Sequence, residues 1–172
     1  SEIFGNTYEA ADVDHSQNPL NPYSIGKQCS YNLVKMYREV NNINCSTGIL
    51  FNHESQLRSD NFVTQKIISG AIKCSLDKSH TVELGNIDIG RDWGWAPEYI
   101  EAMQKIANAK EPQDYVICTG NLHTLKTFIE ITFSKLNLNW KKHIVSNKKL
   151  FRKRDIEQNF GNPNKLKTDL DW

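Results

Sequence analysis

The sequence lacks a glycine-rich turn. Its nine glycines, among 172 residues, are scattered and form no Gly-x-x-Gly-x-x-Gly cluster. Folds that bind dinucleotides need such a cluster, because only glycines let the backbone approach a pyrophosphate at a helix N-terminus. We therefore expect these residues to contain no pyrophosphate-binding turn of that kind.

The sequence also lacks an excess of charge of one sign, long apolar runs and closely spaced cysteine pairs. Lys plus Arg number 21 against 20 Asp plus Glu, which predicts no recruitment of nucleic acid or of a membrane surface. No apolar run approaches the roughly 18 residues that span a bilayer, and no signal peptide is visible. The cysteines show no Cys-x-x-Cys spacing, which predicts single buried thiols in a reducing cytoplasm and no metal site; they are Cys29, Cys45, Cys74 and Cys118.

The first third of the chain alternates between helix and strand patterns. Residues 1–5 are typical of a strand that ends in a loop, and periodicity predicts a helix over about 24–40. The short apolar run over 45–51 predicts a buried parallel strand. We expect the apolar side of that helix to face the core; it comprises Cys29, Leu33, Met36, Tyr37 and Val40.

Three further helices and two strands are predicted downstream. The helices cover 61–73 with Asn61 as N-cap, about 97–108 with Pro97 in the first turn, and 124–136 with Thr124 as cap. The strands cover 81–84 and 115–119. The side chains predicted to face inward are Phe62, Ile67 and Ile68; Tyr99, Ile100, Met103, Ile106 and Ala107; and Leu125, Phe128, Ile129, Phe133 and Leu136.

The segment with the clearest chemistry is Asn21-Pro22-Tyr23-Ser24-Ile25-Gly26-Lys27. It places a tyrosine and a lysine four residues apart, so that a helix stacks both on one face. A neighbouring ammonium stabilises phenolate and favours proton exchange by the tyrosine near neutral pH. The spacing alone is common on ordinary amphipathic helices, so it does not by itself establish a catalytic site.

Several longer motifs occur in a characteristic order. They are Ser1-Glu2-Ile3-Phe4-Gly5, Pro22-Tyr23-Ser24-Ile25-Gly26-Lys27, Gly48-Ile49-Leu50-Phe51-Asn52-His53-Glu54-Ser55, Asn61-Phe62-Val63-Thr64, Gly90-Arg91-Asp92-Trp93-Gly94 and, later, Phe151-Arg152 and Gly161-Asn162-Pro163-Asn164-Lys165. This series resembles the GDP-mannose 4,6-dehydratases, a family of extended short-chain dehydrogenases/reductases (SDR). The resemblance covers nearly the whole chain.

The resemblance implies an α/β fold: the C-terminal part of an extended SDR Rossmann-like fold with its substrate-binding domain, the first, glycine-rich half being absent. Residues 1–52 would be the remnant of the NADP-binding domain that carries the Tyr-x-x-x-Lys pair. Residues 53–172 would be mainly the nucleotide-sugar-binding region. We expect the chain to correspond to a piece of a longer protein.

The resemblance also implies catalytic roles. Tyr23 matches the tyrosine that takes the proton of the sugar C4 hydroxyl, and Lys27 matches the lysine that holds the nicotinamide ribose. Glu2 matches the glutamate assigned to C5 deprotonation and to loss of water from C6. The third catalytic group of the family, usually a Thr, would come immediately before the position of Ser1 and is not in this chain.

Ligand-binding roles follow in the same way. Tyr23, Lys27, His53 and Arg58 match cofactor-binding positions, and the positions that resemble the GDP-mannose site are Asn52, Asn61, Val63, Lys66, Arg91 and Arg152. Two segments depart from the family pattern: Gln56 and Ser59 replace a common Pro and Gly. The segment 152–155 replaces a usual Arg-Pro-x-Glu.

The implied function is conversion of GDP-mannose to GDP-4-keto-6-deoxymannose with NADP as cofactor, as in GDP-fucose biosynthesis. The implied setting is a cytoplasmic homo-oligomer, a dimer or tetramer, without nucleic-acid or membrane partners. Two alternatives remain open: a dehydratase for a related GDP-sugar such as a GDP-heptose, and an inactive fragment that binds a nucleotide sugar.

Overall fold

The structure is a computed structural model that describes residues 1–151 and 154–172. Arg152 and Lys153, including the predicted role of Arg152, lie outside the described residues. The elements in chain order are α1 (Pro22–Asn41), β1 (Gly48–Leu50), β2 (Asn52–Glu54), α2 (Val63–Leu76), β3 (Val82–Leu84), β4 (Gly90–Arg91), β5 (Trp93–Trp95), α3 (Ala96–Ala107), β6 (Tyr115–Ile117), β7 (His123–Thr124), α4 (Leu125–Ser134), β8 (Ile144–Ser146), β9 (Gln158–Asn159) and α5 (Asn164–Leu170).

The chain forms two compact units built from interleaved segments. The first unit comprises Ser1–Ser55, Arg91–Leu122 and Gln158–Trp172, and the second comprises Gln56–Gly90 and His123–Glu157. The predicted division at residue 52 separates a cofactor-binding part from a nucleotide-sugar-binding part. Compact units do not show which ligand each part binds, so that division stays a prediction.

The first unit is built around two pairs of parallel strands. β1 pairs with β6, and β2 pairs with β5. Because successive side chains of a strand point to opposite faces, Ile49 and Val116 contribute to one core cluster, whereas Leu50 and Ile117 face the other. The first cluster also contains Ile3 and Phe4, and α1 reaches it through Tyr31; α3 and α5 supply the second. The β1–β6 sheet therefore has helices on both faces, in agreement with the α/β prediction.

Helix α1 confirms the predicted helix but not its predicted orientation. Its only fully buried residue is Ser24, and the predicted inward side is exposed to solvent: Cys29, Leu33, Met36, Tyr37 and Val40. The side that faces the sheet carries Tyr31 and Arg38, and Arg38 forms a two-pronged ion pair with Asp114, at 2.8 and 2.6 Å. A polar attachment thus replaces the apolar one that periodicity suggested.

Residues 1–5 differ from the predicted strand end. Glu2–Phe4 form a short 3₁₀ turn that buries Ile3 and Phe4. The turn ends at Gly5, whose φ of +67° is easily adopted only by glycine. The hydrogen bond from the Ser1 amine to the Leu50 carbonyl nevertheless places the start of the chain beside β1.

Helix α3 follows its predicted bounds closely. Tyr99 and Ile106 are buried as expected, together with Ala102, which the sequence did not single out. Ile100, Met103 and Ala107 are exposed, contrary to prediction. The buried stripe is therefore narrower than the apolar stripe of the sequence.

The second unit pairs β3 with β8 in parallel and packs α2 against α4. Thr124 caps α4 as predicted, its hydroxyl accepting from the Thr127 amide, and Leu125, Ile129 and Phe133 are buried. Phe128 is half-buried and Leu136 is exposed. Gly70 lies against Val82, where a Cβ would collide with the valine side chain, so α2 approaches β3 closely only because a glycine is present.

Helix α2 begins one residue later than predicted and continues to Leu76 rather than ending at Lys73. Its N-cap is Phe62 rather than Asn61, and no side chain caps it. Ile67 is buried as expected, whereas Phe62 and Ile68 are exposed. The predicted capping role of Asn61 is therefore wrong.

The four cysteines are free thiols with different burial. Cys74 and Cys118 are buried as predicted, Cys45 is half-buried and Cys29 is exposed. Burial raises the pKa of the Cys118 thiol, which keeps it protonated. Within residues 1–151 and 154–172, no helix is long and apolar enough to cross a membrane, and no group of three His, Cys, Asp or Glu side chains could hold a metal ion.

Candidate active site

The first helix of the chain begins at a polar junction. Asn21 is the N-cap of α1, and its Oδ1 accepts from the Ser24 amide at 2.8 Å. The Ser24 hydroxyl in turn accepts from the Asn21 amide, which completes a capping box. The other end of the Asn21 side chain donates from Nδ2 to Glu2 Oε2 at 2.8 Å. One carboxamide therefore joins the start of the helix to the Glu2 carboxylate.

Tyr23 and Lys27 extend from the first turns of α1. The Lys27 Nζ lies 5.6 Å from the centroid of the Tyr23 ring, so the predicted stacking on one helix face is present. Tyr23 is 63% exposed, which leaves its ring open to a ligand. The pair is therefore presented on the surface of the first unit.

The backbone nitrogen of Ser1 places Glu2 beside the sheet. It donates to the Leu50 carbonyl at 2.8 Å, at the carboxyl end of β1. Glu2 follows as the first residue of the 3₁₀ turn and is half-buried. Glu2 therefore lies beside both the end of β1 and the start of α1.

His53 lies in the middle of β2, three residues after the end of β1. Its Nδ1 lies 2.9 Å from the Phe51 carbonyl oxygen, and because a carbonyl can only accept, Nδ1 must carry the proton. Nε2 takes no part in this bond. Tyr99 packs on the imidazole with ring centroids 5.1 Å apart and a 30° tilt, which restrains the ring. Asn52 begins the same strand and is half-buried.

Arg91 is half-buried and is followed by a fully buried carboxylate, Asp92. Asp92 Oδ1 accepts from the Thr119 amide and hydroxyl at 2.8 and 2.7 Å, and Oδ2 accepts from the Gly120 amide at 2.8 Å. The Asp92 amide also donates to the Asn159 carbonyl at 3.0 Å. Asp92 therefore fixes the loop after β6 beside the strand that carries Arg91.

The second unit holds the remaining described candidates around the start of α2. The Arg58 guanidinium lies 3.5 Å above the centroid of the Phe62 ring, which fixes the plane of that cation. Lys66 and Asn61 are exposed, and Val63 opens the helix half-buried. This end of the unit exposes the Lys66 ammonium and the Asn61 amide and carries the half-buried Arg58 guanidinium, groups that suit phosphate and sugar oxygens.

Comparison with known proteins decides the family. The profile of the family described as GDP-mannose 4,6 dehydratase matches residues 1–172. The chain belongs to that family. The GDP-mannose 4,6 dehydratase 1 of Arabidopsis thaliana is 37% identical over 172 residues, which is 100% of this chain and 48% of the relative. The human GDP-mannose 4,6 dehydratase is 34% identical over 190 residues, covering 100% of this chain and 51% of the relative. The chain thus spans about half the length of these relatives.

Solved structures agree on the fold. A dTDP-glucose 4,6-dehydratase from Bacillus anthracis in complex with NAD superposes with a TM-score of 0.86 at 16% identity, covering 99% of this chain and 53% of the other. RMD from Pseudomonas aeruginosa complexed with NADPH gives 0.81 at 20% identity, covering 99% and 57%. At these identities the likeness shows the fold alone, and it confirms the predicted α/β, Rossmann-like fold class.

The GDP-mannose 4,6 dehydratase motifs divide between the two units. The first unit contains Glu2, Tyr23, Lys27, Asn52, His53 and Arg91, and the second contains Arg58, Asn61, Val63 and Lys66. Arg152 lies outside the described residues. The roles of all these residues remain predictions.

Two residues of the site were missed by motif reasoning. Asn21 binds Glu2, and Asp92 orders the loop after β6. A signal for Asn21 was available, because Asn followed by Pro at the next position and Ser three residues on is typical of a capped helix start. No local signal marks the partners of Asp92, since Thr119 is 27 residues away along the chain.

Proposed function

We propose that the protein containing this chain is a GDP-mannose 4,6-dehydratase that uses NADP and releases GDP-4-keto-6-deoxymannose and water. The observation that carries the proposal is the arrangement of Glu2, Tyr23 and Lys27 around the start of α1, in a chain that belongs to this family. These are the base and proton-transfer groups that the reaction requires, on one surface of the first unit.

Each of these side chains has a definable task. Tyr23 would take the proton of the C4 hydroxyl as that carbon is oxidised, and the ammonium of Lys27 would favour the phenolate that does so. Glu2 would remove the C5 proton, made acidic by the C4 ketone, and then give a proton to the departing C6 hydroxyl. The bound nicotinamide supplies a hydride acceptor for C4 and the hydride donor for C6.

The residues present fit the nicotinamide half of such a cofactor. Lys27 offers a hydrogen-bond donor and Tyr23 a hydroxyl to a ribose. The hydrogen bond from His53 to the Phe51 carbonyl uses Nδ1 and does not involve Nε2. Arg58, stacked on Phe62, provides a fixed cation for a phosphate. A glycine-rich pyrophosphate turn is not among these residues. We propose NADP rather than NAD on the family resemblance.

The nucleotide sugar would be held by polar and cationic side chains. Lys66 and Arg91 would neutralise its diphosphate, with Arg152 as a further cation, and Asn52, Asn61 and Val63 would contact the remaining groups. We also propose a cytoplasmic homo-oligomer that serves GDP-fucose synthesis. The four free thiols support a reducing compartment, and the exposed apolar side of α1 supports self-association.

The test is turnover of GDP-mannose in D₂O, with NADP present, by the protein that contains this chain, followed by proton NMR. We expect a methyl group to replace the C6 hydroxymethyl group and deuterium to appear at C5. Tyr23→Phe and Glu2→Gln should lower the rate by about 10²–10⁴-fold while nucleotide-sugar binding persists.

Three results would redirect the proposal. Turnover of a GDP-heptose in preference to GDP-mannose would establish the sister dehydratase. Binding of GDP-mannose without turnover, in the presence of bound NADP, would establish an inactive nucleotide-sugar-binding protein. Equal turnover by the wild type and by both variants would remove Glu2 and Tyr23 from the mechanism.

A further inference from the structure

Asn21 occupies a position that the family motifs do not assign. Its carboxamide is used at both ends, by the Ser24 amide on one side and by the Glu2 carboxylate on the other, each at 2.8 Å. The orientation of the carboxamide is determined by chemistry. A backbone N–H can only donate, so Oδ1 must face Ser24, and Nδ2 is then directed at Glu2.

The hydrogen bond from Asn21 Nδ2 to the Glu2 carboxylate belongs to a strong class of hydrogen bonds. Its acceptor is a carboxylate, both side chains are partly buried, and hydrogen bonds to charged groups are shorter and stronger than neutral ones. Because Asn21 is simultaneously the N-cap, its side chain has no freedom to follow a moving Glu2. The bond therefore restrains the carboxylate relative to the first turn of α1, which carries Tyr23.

We propose that Asn21 is a positioning residue that holds the Glu2 carboxylate in one orientation beside the start of α1. The inference rests on the proposed function, in which Glu2 removes the C5 proton and Tyr23 acts at C4 of the same sugar. Glu2 and Tyr23 are 21 residues apart in sequence, and the Asn21 side chain links the carboxylate directly to the helix. Without it, Glu2 would sample several rotamers and its approach to C5 would no longer be fixed.

Three substitutions separate capping from positioning. Asn21→Ser keeps an oxygen that can cap α1 but removes the amide donor to Glu2. Asn21→Asp also keeps the cap but places a second carboxylate against Glu2, which repels it. Asn21→Ala removes both functions. We expect the melting temperature of the first two variants to stay within about 2 °C of the wild type, and Asn21→Ala to lose about 2–4 °C.

The decisive measurement is NMR of the Glu2 side chain in the wild type and in Asn21→Ser. We expect the wild type to show a contact between the Asn21 side-chain amide protons and the Glu2 γ protons, with couplings of a single rotamer. In Asn21→Ser the couplings should become averaged, and Asn21→Asp should move Glu2 to a different rotamer. If Glu2 keeps one unchanged rotamer in Asn21→Ser, the proposal is overturned.

A second measurement connects the position of Glu2 to the sugar. Titration calorimetry with GDP-mannose and with GDP separates the sugar from the nucleotide. We expect Asn21→Ser to weaken GDP-mannose by about three- to tenfold and to leave GDP unchanged, which corresponds to about 0.7–1.4 kcal/mol. Equal weakening of both ligands would indicate a merely structural role and would contradict the inference. Failure of the wild type to bind GDP-mannose would count against the proposed function, while the NMR result would still decide whether Asn21 holds Glu2.

Discussion

Helices α1 and α3 lie on opposite faces of the β1–β6 sheet and attach to it in different ways. α3 buries Tyr99, Ala102 and Ile106 in a core cluster with the sheet. α1 buries only Ser24 and is held by the Arg38–Asp114 ion pair, while its apolar side faces solvent. Amphipathic periodicity thus identifies both helices correctly, but it does not reveal whether the sheet or another surface covers the apolar stripe.

The largest expected difference comes from the same type of truncation made on each helix. Ile106 is 7% exposed and Leu33 is 48% exposed. Ile106→Ala should lower the free energy of unfolding by about 2–5 kcal/mol, because it leaves a cavity in the core. Leu33→Ala should change it by about 0.5 kcal/mol or less. Urea unfolding of the two variants measures both values, and comparable losses would show that α1 is packed through its apolar side after all.

The polar attachment of α1 can be removed separately. Arg38→Met leaves the Asp114 carboxylate buried without its main partner, so we expect a loss of about 3 kcal/mol in the free energy of unfolding. Asp114 also accepts from the Thr47 amide at 2.9 Å, which Asp114→Asn can retain in part. Asp114→Asn should therefore cost less than Arg38→Met. The reverse order in urea unfolding would argue against the ion pair as the principal attachment.

The same pair predicts an acid dependence. Burial raises the pKa of Asp114, but the hydrogen bonds and charge of Arg38 outweigh burial and lower the pKa below its usual value. The folded carboxylate therefore binds a proton less readily than the unfolded one. Its contribution is complete above the unfolded pKa of about 3.9 and is lost as the pH falls through the lower folded value. Urea unfolding between pH 6 and pH 3 should show a steeper acid loss for the wild type than for Asp114→Asn.

On the α3 side, the buried Tyr99 hydroxyl offers a smaller test. Among the described residues it has no hydrogen-bond partner, whereas Tyr115, equally buried, directs its hydroxyl at Asp169 from 3.4 Å. An unpaired buried hydroxyl is unfavourable, so Tyr99→Phe should raise the free energy of unfolding by up to about 1 kcal/mol. Tyr115→Phe, the matched control, should lower it slightly. A loss in Tyr99→Phe larger than in Tyr115→Phe would reveal a partner, such as a buried water.

The contrast between the helices also explains which parts of the fold were predictable. The four predicted helices and the strands predicted over 45–51, 81–84 and 115–119 lie close to the observed positions, because apolar spacing and caps such as Thr124 act locally. The strands of only two or three residues, such as β2, β4 and β9, and the short helix α5 were not predicted. The burial of α1 was not predictable, because spacing alone does not tell which surface lies against Leu33 and Met36. The late start of α2 was not predictable either: the backbone amide of Asn61 donates to the Ser59 hydroxyl at 3.4 Å, and no side chain caps the helix.

The candidate site shows the same limit. The Tyr23–Lys27 contact follows from helical spacing, and the structure contains it. The hydrogen bonds of Glu2 with Asn21 and of Asp92 with Thr119 join residues 19 and 27 positions apart. Such pairings depend on how strands and turns pack in three dimensions, and no short sequence pattern predicts them.

The smallest expected change in stability belongs to the apolar side of α1. Combined replacement of Leu33→Lys, Met36→Gln and Val40→Lys should leave the free energy of unfolding within about 1 kcal/mol, because exposed positions contribute little. If this side mediates the proposed self-association, sedimentation should show that the variant has lost the oligomer. The exposed residues Ile72 and Leu76 of α2 provide the control, since Ile72→Lys with Leu76→Lys should leave association intact. An unchanged oligomer in the α1 variant would assign self-association to another surface, whereas severe unfolding would mean that the stripe is part of the core and that the two helices do not differ as described.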